Sequence, residues 1–252
     1  MKTAIISGGN GGLGKALAAQ LQADNWHTVL LDIDVTGLAK SESQTPIKID
    51  LTDTEKLDGE FAKIIASCDT VDLVIYNAGI THIGAFSGLE ENTHRRVFEI
   101  NYFAAARMAK AFLIPIREAK GTHLAISSVA GFSPLFHRTA YAASKHALQG
   151  FFNSLRSEEA PFGVETLIAA PSFIATNIGN DQRQDNGISR PGSASDGVDY
   201  ISPQTAAAVI LRGLRAKQKF IPVGRIARLS WWINRLSPPL FQRLMERKIR
   251  KL

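Results

Sequence analysis

The sequence predicts a single doubly wound α/β domain, a seven-stranded parallel sheet flanked by helices, followed by a C-terminal amphipathic helical tail. Three observations carry this. Short apolar runs rich in β-branched residues alternate with segments of helical period along most of the chain, the pattern of repeated strand–helix–strand units. A glycine-rich stretch joins the first such run to the first helical segment. The 252 residues, 45% hydrophobic and 21% charged, suffice for one large core, and no run reaches the ~18 consecutive apolar residues of a membrane-spanning helix.

The strands are expected at 2–6, 27–33, 47–50, 72–76, 122–127, 164–169 and 219–223. The helices between them are expected near 13–23, 54–66, 89–119 (in two pieces), 139–159 and 203–216. Residues 177–201 break the rhythm: they are rich in Gly, Ser, Asn and Asp, include Pro191-Gly192 and lack a clear period, so they read as a flexible loop in the position of a substrate lid. The domain proper is expected to cover 1–224. In 225–252, Ile226, Leu229, Trp232, Ile233 and Leu236, then Leu240, Phe241, Leu244 and Met245, recur at helical spacing on either side of Pro238-Pro239, which predicts two short amphipathic helices.

Charge is unevenly distributed. The net charge is +6, yet residues 212–252 alone hold 12 Lys/Arg against one acid, Glu246, so the rest of the chain is net acidic. The lone Cys68 cannot form an internal disulfide, and the first residues run into the glycine stretch without a signal-type apolar region, which leads us to expect a cytoplasmic protein. His82, His94, His123, His137 and His146 have no partner set at ligand spacing, so no metal site is expected.

The stretch Ser7-Gly8-Gly9-Asn10-Gly11-Gly12-Leu13-Gly14 stands between a strand and a helix. Glycines let the backbone turn tightly and approach a pyrophosphate, whose charge then faces the unpaired N–H groups and positive dipole end of the helix. This is the setting of a Rossmann-type dinucleotide site, although a glycine turn also serves simply to pack helix on strand. Asp32 ends the second strand 18 residues after Gly14. It either accepts hydrogen bonds from the adenosine ribose hydroxyls or, with Asp34, caps a turn. A carboxylate there repels a 2′-phosphate, and Ile33 rather than a basic residue follows, so NAD is expected over NADP. Asp50-Leu51 ends the third strand, where it either contacts the adenine ring or forms a turn.

Tyr141 and Lys145 lie four apart in a helical segment and project from one face. An ammonium beside a phenol favours its ionised form, making the pair a candidate general acid/base, although alone the spacing is common on helix surfaces. Ser127-Ser128 closes the fifth strand, where a hydroxyl can bond a substrate oxygen; either serine could serve, and the spacing to Tyr141 favours Ser128. Asn77-Ala78-Gly79 closes the fourth strand, Asn101 interrupts a long helical segment, and Pro171 to Thr176 follow the sixth strand.

This set, in this order, resembles the short-chain dehydrogenase/reductase family in its single-domain subclass. The family's Thr-Gly-x-x-x-Gly-x-Gly falls on Ser7 to Gly14, its Asn-Asn-Ala-Gly on Tyr76 to Gly79, its helix asparagine on Asn101, its serine on Ser128, its Tyr-x-x-x-Lys on Tyr141 and Lys145, and its Pro-Gly motif on Pro171 to Thr176. Ser7 for Thr, Tyr76 for Asn and Ser172 for Gly are departures in supporting positions. The resemblance implies that Tyr141 exchanges a proton with the substrate oxygen while hydride moves to or from a nicotinamide. It further implies that Lys145 lowers the tyrosine's pKa and bonds the nicotinamide ribose, that Ser128 positions the substrate and that Asn101 supports a water relay. Ile174 is then expected at the nicotinamide carboxamide and Thr176 at the start of the lid. The expected reaction interconverts a secondary alcohol and a ketone, in a homodimer or homotetramer. The competing reading is a catalytically silent dinucleotide sensor or scaffold, against which the complete proton-transfer set argues. Phe132, Leu135, Phe136 and Phe173 suggest an apolar pocket or belong to the core.

In the tail, Trp231, Trp232 and the leucines are interleaved with Arg228, Arg235, Arg243, Arg247, Lys248, Arg250 and Lys251. The pattern suits either packing on the domain or a second subunit, or contact with an anionic membrane surface, on the inner side of the cell. Nucleic-acid binding is not expected, because Trp and Leu at helical spacing form an apolar stripe rather than a groove reader.

Overall fold

A computed structural model describes residues 1–176, 184–189, 192 and 200–249, with side chains as far as Glu246. Most of the predicted lid, 177–201, lies outside the described residues, as do Arg250, Lys251 and Leu252 and the side chains of Arg247 and Lys248.

Seven parallel strands form the main sheet: β1 (Lys2–Ser7), β2 (Trp26–Asp32), β3 (Gln44–Lys48), β4 (Leu73–Tyr76), β6 (Thr122–Ile126), β7 (Glu165–Pro171) and β9 (Phe220–Val223). Two short strands, β5 (Thr81–His82) and β8 (Ile188–Ser189), pair antiparallel to each other outside it. The order in the main sheet is β3-β2-β1-β4-β6-β7-β9. Both faces are covered, so strand residues are apolar on consecutive positions rather than alternate ones. Ile6 turns to one side, against α1 (Gly12–Ala23) and α7 (Pro203–Arg215), while its neighbour Ile5 turns to the other, against α2 (Thr54–Ala66), α4 (Ala104–Ala111), α5 (Leu113–Ala119) and α6 (Thr139–Glu159).

Chain direction away from β1 reverses between β1 and β4. That reversal leaves a crevice at the carboxyl ends of the strands, where Gly8, Asn77, Ser127 and Ser172 emerge. Residues 89–119 break into more pieces than the two expected: α3 (Glu91–Phe98), a π-helical turn at Glu99–Phe103, then α4 and α5. A π turn admits one extra residue per turn, and such turns gather at functional sites. Here it carries Asn101.

Two elements differ from expectation. β3 begins at Gln44 rather than at 47 and contains Pro46. It is the edge strand, where the missing proline N–H leaves no partner unbonded. Within the expected loop, β8 pairs Ser189 with Thr81 and Ile188 with His82. After β9 the tail forms α8 (Arg225–Leu236) and α9 (Pro238–Ile249). No described helix is long and apolar enough to cross a membrane.

Candidate active site

A cavity of about 800 Å³ runs along the carboxyl ends of the strands. One end is built by the glycine loop. Gly8 has φ +64°, a left-handed conformation, and a side chain there would meet the backbone of Ala78 at 3.0 Å. A Cβ on Gly9 would lie 2.7 Å from Leu30, and one on Gly14 only 2.3 Å from the Gly8 carbonyl oxygen. These two glycines allow β1, β2 and α1 to pack closely, whereas Gly12 faces Thr176 across the cavity. The first α-helical bond of α1 runs from Lys15 N–H to Gly11 O, so the N–H groups of Gly12, Leu13 and Gly14 precede the ladder at its positive end, with no acid in the first turn.

The loop is tied to its neighbours. Asp32 Oδ2 accepts the Asn10 N–H at 2.9 Å, and Asn10 Nδ2 donates to the carbonyl of Asp34 at 2.8 Å. Asp32 therefore holds the glycine turn while also lining the cavity. The Ser7 hydroxyl accepts N–H groups from Asn77 (3.0 Å) and Ala78 (3.1 Å), and Asn77 Nδ2 donates to the carbonyls of Ser7 and Gly8. A serine hydroxyl performs here what a threonine's would, so this departure from the family pattern keeps the β1–β4 connection. Asp50 and Leu51 also line the cavity, but the Asp50 carboxylate caps its own turn, accepting from Thr52 N (2.9 Å) and Oγ1 (2.7 Å).

The other end holds the titratable groups. Ser127 and Ser128 follow β6 and have different partners. Ser127 Oγ accepts from Gln149 Nε2 at 2.9 Å beneath α6, whereas Ser128 accepts the Ala130 N–H at 3.1 Å and stands beside the Tyr141 phenol, favouring its ionised form. Only Ser128 is therefore available to the reacting end. Tyr141 and Lys145 stand one turn apart on α6, both buried and both lining the cavity, with Lys145 Nζ 5.9 Å from the centre of the tyrosine ring. One ammonium N–H goes to Ile126 O at 2.9 Å. Asn101, buried on its π turn, accepts from Ile80 N (2.8 Å) and donates to Ile80 O and Ser144 Oγ, both at 2.9 Å. Both amide protons are used, leaving a second lone pair on Oδ1, and the Oδ1 atom and Lys145 Nζ both flank Gly79.

A family model described as short chain dehydrogenase matches residues 2–187. The chain belongs to that family. It is 32% identical over 273 residues to the rat protein named dehydrogenase/reductase SDR family member 7B, covering 98% of this chain and 81% of that one, and 29% identical to the Xenopus laevis protein of the same name over 263 residues with the same shares covered. Among solved structures, a short-chain dehydrogenase from Streptomyces avermitilis superposes with TM-score 0.81 at 26% identity, covering 100% of this chain and 99% of the other. A 4-hydroxyisoleucine dehydrogenase complexed with NADH gives 0.71 at 25% identity, covering 86% and 93%. A short chain dehydrogenase from Burkholderia cenocepacia J2315 in complex with NADP shares the fold, with TM-score 0.84 at 20% identity over 96% of each chain. This short-chain dehydrogenase is thus an oxidoreductase of the dinucleotide-dependent class. The glycine cradle fits such a group: the positions where a pyrophosphate approaches carry no Cβ, and helix N–H groups face it.

Burial dominates the electrostatics of the short-chain dehydrogenase's titratable pair. Burial pushes the Tyr141 phenol above its usual value, against smaller lowering contributions from the Ser128 hydrogen bond and the Arg138 charge. Burial lowers the Lys145 amine to about 8. Burial is the largest influence on each member of the pair.

Several contributors were not apparent from spacing. Arg138, three residues before Tyr141, faces the cavity, as do Thr81 and Ser189 of the β5–β8 pair and Ile226, Phe241 and Met245 of the tail. Arg138 is the residue that caps the start of α6 and has non-helical backbone, so helical spacing does not point to it; the β5–β8 pair has no period either. Leu135, Phe136 and Phe173 line the cavity, but Phe132 packs edge-on against Phe220 and belongs to the seat of α8. Of the departures from the family pattern, Tyr76 is core: its ring packs on Phe152 and its hydroxyl meets His123 Nδ1 at 2.6 Å, while burial holds that histidine near 4 and so neutral. Ser172 is accommodated beside β9, donating to Val223 O at 3.3 Å. Ile174 and Thr176 line the cavity, Thr176 against Gly12.

Proposed function

We propose that the protein interconverts a secondary alcohol and a ketone, with Tyr141 as proton donor and acceptor and NAD(H) preferred over NADP(H). The observation that carries this reading is the buried Tyr141, lining the cavity together with Ser128 and one helical turn from the Lys145 ammonium. The bound dinucleotide supplies or accepts the hydride. In the direction of reduction, Tyr141, kept a neutral phenol at pH 7 by burial, gives its proton to the carbonyl oxygen, and Ser128 holds that oxygen in line. Lys145, protonated at neutral pH, has N–H donors beyond the one given to Ile126 and stabilises the phenolate left behind. Asn101 is a positioning residue, fixing the 77–80 loop against α6 through Ile80 and Ser144.

Ser7, Gly8, Asn10, Gly11, Gly12, Leu13 and Gly14, with Asn77, Ala78 and Gly79, form the phosphate and ribose side; Ile174 and Thr176 flank the nicotinamide side, following Pro171. The Asp32 carboxylate followed by an exposed Ile33 supports NAD, since a 2′-phosphate beside Asp32 would meet a like charge. Leu135, Phe136, Phe173, Phe241 and Met245 favour a substrate with an apolar body. Exposed Phe103 and Ile114 on the α4–α5 side support a homodimer or homotetramer. A panel of ketones and secondary alcohols assayed with NAD(H) and NADP(H), read by nicotinamide absorbance, tests the reading. It predicts turnover of apolar ketones with NADH ahead of NADPH; absence of turnover across the panel with both cofactors contradicts it.

A further inference from the structure

The fold uses one face of the last two helices. Toward the domain, Ala227 is buried, the Trp231 ring stacks on Phe220 at 5.7 Å, Asn234 donates to the Phe132 carbonyl, and Ile226, Phe241 and Met245 line the cavity. The opposite face is apolar too. Leu229, Trp232 and Leu236 are 59%, 56% and 78% exposed and fall at i, i+3 and i+7, a continuous stripe along α8, and exposed Leu240 and Leu244 extend it onto α9. Exposed Arg228, Arg235 and Arg243 accompany the stripe, and Glu246 is the one acid of residues 225–252. A contiguous apolar patch that the domain does not cover marks a surface for something else.

We propose that this outer face docks on an anionic lipid surface. Charge decides between the candidate occupants. In a symmetric contact with a second copy, Arg228, Arg235 and Arg243 would meet the same basic surface, a like-charge juxtaposition that the single acid Glu246 does not balance. Anionic headgroups supply the missing charge, and a tryptophan flanked by leucines and arginines is the composition that settles at the headgroup boundary. Docked this way, α8 and α9 lie between the bilayer and the cavity they line with their other face. A substrate with an apolar body would then pass from lipid to Tyr141 along these helices. The docking itself does not depend on the chemistry assigned to Tyr141.

Flotation of the full chain with vesicles of phosphatidylcholine alone, or mixed with phosphatidylglycerol, tests this. The chain is expected to float with the mixed vesicles, to stay behind with phosphatidylcholine alone, and to be released by salt. Trp232→Ser with Leu236→Ser should cut the bound fraction about tenfold. Arg228→Gln with Arg243→Gln, which leaves the stripe intact, should weaken partitioning about 30-fold, equivalent to about 1 kcal/mol for each surface cation. Unchanged NADH binding and melting temperature in both variants would exclude misfolding as the cause. Wild-type chain that fails to float with mixed vesicles overturns the proposal, as does undiminished flotation of both variants. A drop in oligomer mass on Trp232→Ser with Leu236→Ser, without vesicle binding by wild type, assigns the face to a second copy and overturns it equally.

Discussion

Burial of Lys145 predicts a pH-dependent stability that a substitution can isolate. The folded protein lowers this amine from 10.5 to about 8, with burial as the cause, and unfolding returns it to water. Between those values the unfolded chain holds a proton that the folded chain has released, so stability rises with pH from about 8 to about 10.5. Below that window both states are charged and the folded state carries the whole cost; above it both are neutral and the cost is gone. At about 1.4 kcal/mol for each pH unit between the two values, the cost comes to about 3 kcal/mol. Lys145→Met deletes this dependence. The loss of its hydrogen bond to Ile126 O is independent of pH and shifts the curve without tilting it. Urea unfolding followed by the fluorescence of Trp26, Trp231 and Trp232, run on both proteins across that window, reads the difference directly, because every other titrating group is shared. Wild type should gain about 3 kcal/mol relative to the variant from the lower to the upper end. Parallel profiles would mean that the amine is solvated in the folded protein, and the burial argument for the whole site would fail.

Two further outcomes follow from the cofactor side and the helices. Asp32→Ala removes the charge that opposes a 2′-phosphate, so the ratio of kcat/KM with NADH to that with NADPH should fall about tenfold, while the lost bond to Asn10 weakens both cofactors; an unchanged ratio places discrimination elsewhere. Gly14→Ala puts a Cβ 2.3 Å from the Gly8 carbonyl oxygen and should lower stability by about 1–3 kcal/mol and impair NADH binding, whereas Gly59→Ala, in α2 with nothing within 4 Å, should stabilise by about 0.5–1 kcal/mol; equal effects in thermal melts would contradict the role given to the glycine loop.

What the sequence reveals about this protein divides along local and long-range lines. Strands read as β-branched runs because both faces of the sheet are buried, and Ser7, Asn77, Ser128, Tyr141 and Lys145 converge because each stands just past a strand or on one helical face. The β5–β8 pair escapes such reading, since two residues have no period and their partners are more than a hundred positions away. β3 is displaced toward its N-terminus because an edge strand tolerates Pro46. Asn101 was marked by its unfavourable helix propensity, but the π turn that turns it toward Ile80 and Ser144 depends on packing. Spacing also gives the distance between Tyr141 and Lys145 without their burial, and burial decides the direction in which each titrates. The tail's amphipathicity was legible, whereas its having two apolar faces, one on the cavity and one on solvent, required the structure.

The central assignment, proton transfer by Tyr141, is tested most directly by Tyr141→Phe. Deleting a single oxygen atom leaves the glycine cradle and the Lys145 hydrogen bond in place, so NADH binding by fluorescence titration should be nearly unchanged while kcat falls about a thousandfold with any ketone the wild type reduces. Retained turnover, with NADH bound as before, would show that another group moves the proton and that the buried phenol is only part of the wall.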